Sequence, residues 1–102
     1  MAARHTILIT ASELADELKG ETPPVLLDCR FNLLDPREGR AQYREGHIPS
    51  ASYLHLNDDL SSPVKPGQTG RHPLPDLSAL GQLLARLGIN RDTPVVIYDQ
   101  HQ

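Results

Sequence analysis

Apolar runs and polar stretches alternate along the chain in a way that assigns most of its elements. Val25-Leu26-Leu27 ends in the cluster Asp28-Cys29-Arg30, Ser52-Tyr53-Leu54 is short, and Val95-Val96-Ile97-Tyr98 ends at Asp99. A continuous apolar run closing on polar residues is how a buried parallel strand presents groups at its carboxyl edge, where α/β proteins place ligands. Strands are therefore predicted over residues 25–29, 52–56 and 95–98, with a further brief one at Ile7-Leu8-Ile9. Leu14, Ala15 and Leu18 form one helical face behind a capping box, Thr10-Ala11-Ser12-Glu13, with Gly20 as its stop. Leu77, Leu80, Leu83, Leu84 and Leu87 repeat at helical spacing between an N-cap, Asp76, and a stop, Gly88. Residues 37–44 are polar with helical composition, anchored by Tyr43, ended by Gly46 and preceded by Pro36 as a helix start. The order β-α-β-α-β-α-β predicts an α/β fold with a parallel sheet.

Residues 57–75, rich in Pro, Gly, Ser and Asp, form one long loop. Loops of this length in small domains are commonly functional, and a tolerated insertion is the alternative.

Composition narrows this little further. At 102 residues the chain is one small domain, and with aromatics at 4% its core must be aliphatic. A net charge of −3 with both signs interspersed argues against nucleic acid or an anionic membrane as the partner. No run approaches membrane-spanning length, so the expected location is the cytoplasm. With one cysteine and five histidines lacking ligand spacing, no internal disulfide and no metal site is expected. There is no glycine-rich nucleotide loop, so no cofactor is expected.

Tyr43-x-x-x-His47-Ile48-Pro49-x-Ala51, preceded by a strand ending in Asp28-x-Arg30, resembles the rhodanese-like sulfurtransferases over nearly the whole chain. The likeness is greatest to the amino-terminal domain of the two-domain enzymes acting on thiosulfate or 3-mercaptopyruvate, in which glycine usually stands at the place of Ser50. The resemblance implies a three-layer α/β/α fold around five parallel strands, the fifth inserted between the first and fourth. Against that fold the chain supplies four strands, and the expectation is an incomplete amino-terminal portion, lacking the last strand and helices, with an open slot in its sheet.

Sulfur transfer needs an accessible, low-pKa thiolate. Cys29 is the only thiol and admits two readings: a nucleophile with Arg30 lowering its pKa, or a small filler at the end of a buried strand, the second being expected. In the family the catalytic Cys follows the fourth strand, where this chain has Asp99. A carboxylate cannot accept sulfane sulfur, so Val95-Val96-Ile97-Tyr98-Asp99 looks like the non-catalytic domain, and the resemblance implies a catalytic Cys in a second rhodanese domain beyond residue 102.

Asp28, Arg30, Tyr43, His47, Pro49 and Asp99 are expected to be structural members of the motif, His47 packing the turn instead of acting as a base. A spacing of two residues does not by itself establish an ion pair between Asp28 and Arg30. His72-Pro73-Leu74-Pro75 resembles the His-x-Leu-Pro of mercaptopyruvate sulfurtransferases, in which the His assists proton transfer with an Asp and a Ser. By count that Asp falls on Asn57, which is no carboxylate; Asp58 substitutes only if the loop shifts. His72 is therefore either an assisting catalytic residue or an exposed loop histidine. Arg71 is a candidate for holding an anionic substrate.

The implied partners are a small sulfur donor, a thiol or cyanide acceptor and the second domain. The implied activity, a sulfurtransferase working through a Cys persulfide, belongs to the full-length protein, and this portion alone is expected to be inactive. The rival is a non-catalytic rhodanese-like module that binds a partner protein. A phosphatase of related fold would need Cys-x5-Arg, but Asp35 stands where that Arg belongs.

Overall fold

The computed structural model describes residues 8–99. In chain order they form α1 (Ala11–Leu18), β1 (Val25–Asp28), α2 (Glu38–Glu45), β2 (Ser52–Tyr53), α3 (Leu77–Arg86) and β3 (Val95–Tyr98). The strands make one parallel sheet in the order β2-β1-β3. Leu27 lies opposite Ser52 and Ile97, and Asp28 opposite Tyr53 and Tyr98. Backbone bonds extend the ladder at both ends: Val25 donates to the Pro94 carbonyl (2.9 Å) and Cys29 to that of Tyr98 (2.9 Å).

Having a partner on each side makes β1 the centre of the fold. Leu26, Leu27 and Asp28 are buried, and Ala51 and Leu54 join the two leucines in a small aliphatic core. β3 is an edge among the described residues, and Ile97 is 61% exposed.

The local signals act where the sequence puts them. Thr10 and Glu13 form the reciprocal capping box (2.8 and 3.1 Å). Asp76 caps α3 by accepting from the Ala79 amide (3.0 Å). Gly88, at φ +83°, closes α3 in a Schellman turn, its own amide bonding the Ala85 carbonyl (3.0 Å) and the Ile89 amide that of Leu84 (2.9 Å).

Four boundaries differ from expectation. Residues 8 and 9 form no strand, because no neighbouring strand offers them a ladder; Ile7 lies outside the described residues. The described sheet thus has three strands, not four. β1 ends at Asp28, one residue early, and β2 covers only two of the five expected residues. Leu54 still donates to the Asp28 carbonyl (2.9 Å), but the His55 amide bonds the Asp59 carboxylate instead (2.7 Å), which turns the chain out of the sheet. α2 starts at Glu38 and not at Pro36, because Asn32 and Asp35 hold residues 32–37 in turns through Leu34 N–H (2.8 Å) and Arg37 N–H (3.1 Å). Among the described residues no helix is long and apolar enough to cross a membrane.

Candidate active-site cleft

Two groups of polar side chains gather beyond the carboxyl ends of the strands. The first is built on β1. The Asp28 carboxylate is fully buried and is met by Arg30 through Nη2 (2.7 Å) and Nε (3.1 Å to each oxygen). The two-residue spacing that looked uninformative therefore does produce an ion pair, since the chain leaves the sheet between them and the Arg30 amide also bonds the carboxylate (3.0 Å). Arg30 spends its remaining reach on the Gly46 carbonyl (2.7 Å). The Tyr98 hydroxyl bonds Asp28 as well and accepts from the Ile48 amide (3.2 Å). Burial pushes the Asp28 carboxyl up, but the bonds and charge of Arg30 together outweigh it and hold the group below the usual carboxylate range.

The turn 48–51 hangs on this group. Ala51 donates to the Ile48 carbonyl (3.0 Å), with Pro49 and Ser50 at its corners and Ser50 at φ +74°. Proline followed by a positive φ is the signature of a type II turn, which is why glycine suits the place of Ser50. The Tyr43 hydroxyl donates to the Ala51 carbonyl. The His47 ring lies flat on that of Tyr43 (3.6 Å, 8°), and its Nδ1–H donates to the Tyr43 carbonyl (2.7 Å). Gly39, unremarked in the sequence, is buried where α2 meets the segment just after β1: a Cβ there would collide with the Arg30 carbonyl oxygen and the Tyr53 hydroxyl. A glycine inside a polar helix was the available signal.

Cys29 is half-buried beside this network. Burial first, then the negative charges of Asp28 and Asp99, push its thiol up to about 11. Arg30 is bound to Asp28, and a thiol pushed up in this way is a poor nucleophile at pH 7. The filler reading is the one the geometry supports. Asp99 follows β3, exposed, at the same edge of the sheet.

The second group surrounds a cavity of about 410 Å³ between the segment after β1 and the 57–75 loop. Phe31, Leu33 and Val64 give it apolar walls, and Asn57, Ser61, Ser62, Arg71 and His72 give it polar ones. The loop's limbs are tied by Ser62 N–H to the Pro73 carbonyl (3.1 Å), and Phe31 meets His72 edge-on at 6.3 Å. His72 and Arg71 thus share one cavity, as their nearness in sequence suggests.

Asp58 does not join them. It lines a neighbouring cavity and lies 3.9 Å from Arg40, while Asn57 lines both that cavity and the one of His72. The reason is His55, which sequence reasoning considered only as a metal ligand. Its buried ring donates from Nε2–H to the Pro36 carbonyl (2.8 Å) and accepts at Nδ1 from the amides of Asn57 and Asp58 (3.1 Å each). Those bonds fix the tautomer and the path of the loop's first residues. Phe31 packs edge-on against the same ring at 5.1 Å. Nothing in the local pattern marked His55, because its partners lie two to 19 residues away. Among the described residues no group of three or more His, Cys, Asp or Glu side chains could hold a metal ion.

Comparison with known proteins gives this geometry a family. The model of the rhodanese-like domain matches residues 10–102. The chain belongs to the rhodanese-like family. It is 49% identical over 92 residues to a Pseudomonas aeruginosa protein named "Probable 3-mercaptopyruvate sulfurtransferase", covering 90% of this chain and 32% of that protein. It is 32% identical over 100 residues to the thiosulfate sulfurtransferase of Rattus norvegicus, covering 93% and 32%. Among solved structures, the 3-mercaptopyruvate sulfurtransferase from Leishmania major superposes with a TM-score of 0.78 at 33% identity, over 89% of this chain and 24% of that one. The chain therefore spans about a third of the length of the curated relatives it matches. These relatives are sulfurtransferases, and the parallel α/β sheet of this rhodanese-like domain is the fold that its strand-end motif implied.

Proposed function

We propose that this chain is the amino-terminal, non-catalytic rhodanese-like domain of a two-domain sulfurtransferase. The parent protein moves sulfane sulfur from 3-mercaptopyruvate or thiosulfate to a thiol or cyanide acceptor through a Cys persulfide in its second domain. The observation that carries this reading is the setting of Cys29: the chain's only thiol is half-buried, and burial with the negative charges of Asp28 and Asp99 pushes it up, which makes it a poor nucleophile and favours one from a second domain. His72 and Arg71 are this domain's contribution to the cleft, His72 as the group that exchanges a proton with donor or acceptor and Arg71 as a cation for an anionic donor. Asp58 has no assisting part in this reading: it lies beside Arg40 and lines the neighbouring cavity.

The test is pyruvate release from 3-mercaptopyruvate, set against sulfite release from thiosulfate, by the full-length protein and by the 102-residue chain. Turnover by the full-length protein that survives Cys29→Ala is expected, with none from the chain alone. Turnover lost with Cys29→Ala in a folded protein overturns the assignment. A full-length protein that turns over neither donor leaves the rival reading, a rhodanese-like module that binds a partner protein.

A further inference from the structure

We infer that the arginine face of α2 is a binding site for a small, doubly charged oxyanion, separate from the His72 cavity. Arg37, Arg40 and Arg44 are spaced three and four residues apart, which places them on one side of the helix. All three line a cavity of about 520 Å³, closed on its other side by His55, Asn57 and Asp58. A chain of net charge −3 thus concentrates cations around one concavity whose only carboxylate is Asp58.

The guanidiniums are oriented but not consumed. Arg40 lies over the Tyr53 ring at 5.7 Å, which holds its plane. Its contact with Asp58 is a single one at 3.9 Å, and that of Arg37 with Asp35 is 3.7 Å with the arginine side chain 95% exposed. Neither is the bidentate fork that satisfies a guanidinium, so both forks remain open to an oxyanion. Glu38 and Glu45 on the same helix, with Asp35 beside Arg37, would repel an extended polyanion, which favours a compact ligand. The phosphate of an ester and a sulfur oxyanion share this chemistry.

The two cavities meet at Pro36 and Asn57, and the Asn57 amide is bonded to His55 at the boundary. An anion on α2 therefore sits behind Asn57 and not against His72, in the position of an effector of the neighbouring cleft. The inference is independent of the sulfur-transfer reading, because its test measures no turnover.

The experiment follows backbone amide resonances of the chain by NMR at constant ionic strength. Pyrophosphate, inorganic phosphate, sulfate and thiosulfate are titrated separately, with chloride and acetate as references. Saturable shifts centred on Arg40, Arg44, His55 and Asn57 are expected for divalent anions only, with a midpoint below about 1 mM. Arg44→Gln, which leaves the Tyr53 contact intact, should raise that midpoint at least about tenfold. Arg40→Lys keeps the charge and should raise it less. Asp58→Asn removes the competing carboxylate and should lower it roughly threefold. A preference for the phosphates assigns a phosphate ester, and a preference for sulfate and thiosulfate assigns a sulfur oxyanion. Shifts that do not saturate, that match chloride, that persist in Arg44→Gln, or that centre on Arg71 and His72 overturn the inference.

Discussion

The two polar groups beyond the strand ends differ in how much of their chemistry is already spent. Around Asp28 every strong group has a partner: the carboxylate meets Arg30 and Tyr98, Arg30 also meets Gly46, and Tyr98 also meets Ile48. Around His72 the cavity is open, walled by Phe31, Leu33 and Val64, with Asn57, Ser61, Ser62, Arg71 and His72 on its polar side. An Asp, Cys and Arg in a row look reactive, yet here they lock the exit of the central strand. The long loop, whose length left a functional role or a tolerated insertion open, brings Arg71 and His72 to the lining of a cavity. A buried charge must be paired to be tolerated, and pairing removes it from chemistry.

The sharpest way to break the first region is Gly39→Ala. The added Cβ meets a backbone oxygen that cannot yield, so α2 has to lift from Arg30, and a loss of at least about 3 kcal/mol is expected in urea unfolding. An unchanged midpoint would mean that α2 does not approach Arg30 this closely.

His72 and His47 sharpen the contrast directly. On the proposed reading, His72→Ala in the full-length protein should lower kcat roughly a hundredfold while leaving stability within about 0.5 kcal/mol. His47→Ala removes the flat stack on Tyr43, should cost about 1 kcal/mol of stability and should leave kcat per folded molecule unchanged. The reverse pattern would exchange the roles assigned to the two regions.

Asp28→Asn should cost about 2 kcal/mol, because Arg30 is left largely enclosed without its counter-charge. It should also change the pH profile. The folded-state pKa of Asp28 lies below its unfolded value of about 3.9, so the unfolded chain binds the extra proton in acid. The stabilisation is complete above that unfolded value and is lost as pH falls through the folded one. Stability measured between about pH 5 and pH 2 should therefore fall less steeply in Asp28→Asn than in the parent.

The smallest effect is at Ser50. Its φ of +74° costs a serine about 1 kcal/mol that glycine avoids, offset in part by the greater freedom of glycine when unfolded. Ser50→Gly should stabilise by about 0.5 kcal/mol, and a loss would show that the Ser50 side chain makes a compensating bond.

Much of this was legible along the chain. The cap at Thr10 and Glu13, the cap at Asp76, the stop at Gly88 and the span of β3 follow from side chains acting on backbone within a few residues. The motif through His47 and Pro49 carried the family for the same reason: a tight turn needs particular residues at fixed offsets. Within the cleft, the joint placement of Arg71 and His72 was legible because they are neighbours. Less was legible where strands end. Whether residues 54–56 stay in the sheet depends on the His55 amide choosing Asp59, a competition that alternation of apolar and polar residues does not register.

By itself the sequence determined the class of fold, the positions of the three helices and of the three described strands to within a few residues, and the turn at 48–51. All of these rest on short-range stereochemistry or on which residue types are present. Only the tertiary structure decided that Asp28 and Arg30 consume each other, that Gly39 must stay without a side chain, and that Asn57 lines the His72 cavity while Asp58 lies beside Arg40. Each of these depends on segments distant in sequence reaching the same place, and the polar groups of one segment are committed or left open by what the other brings to them.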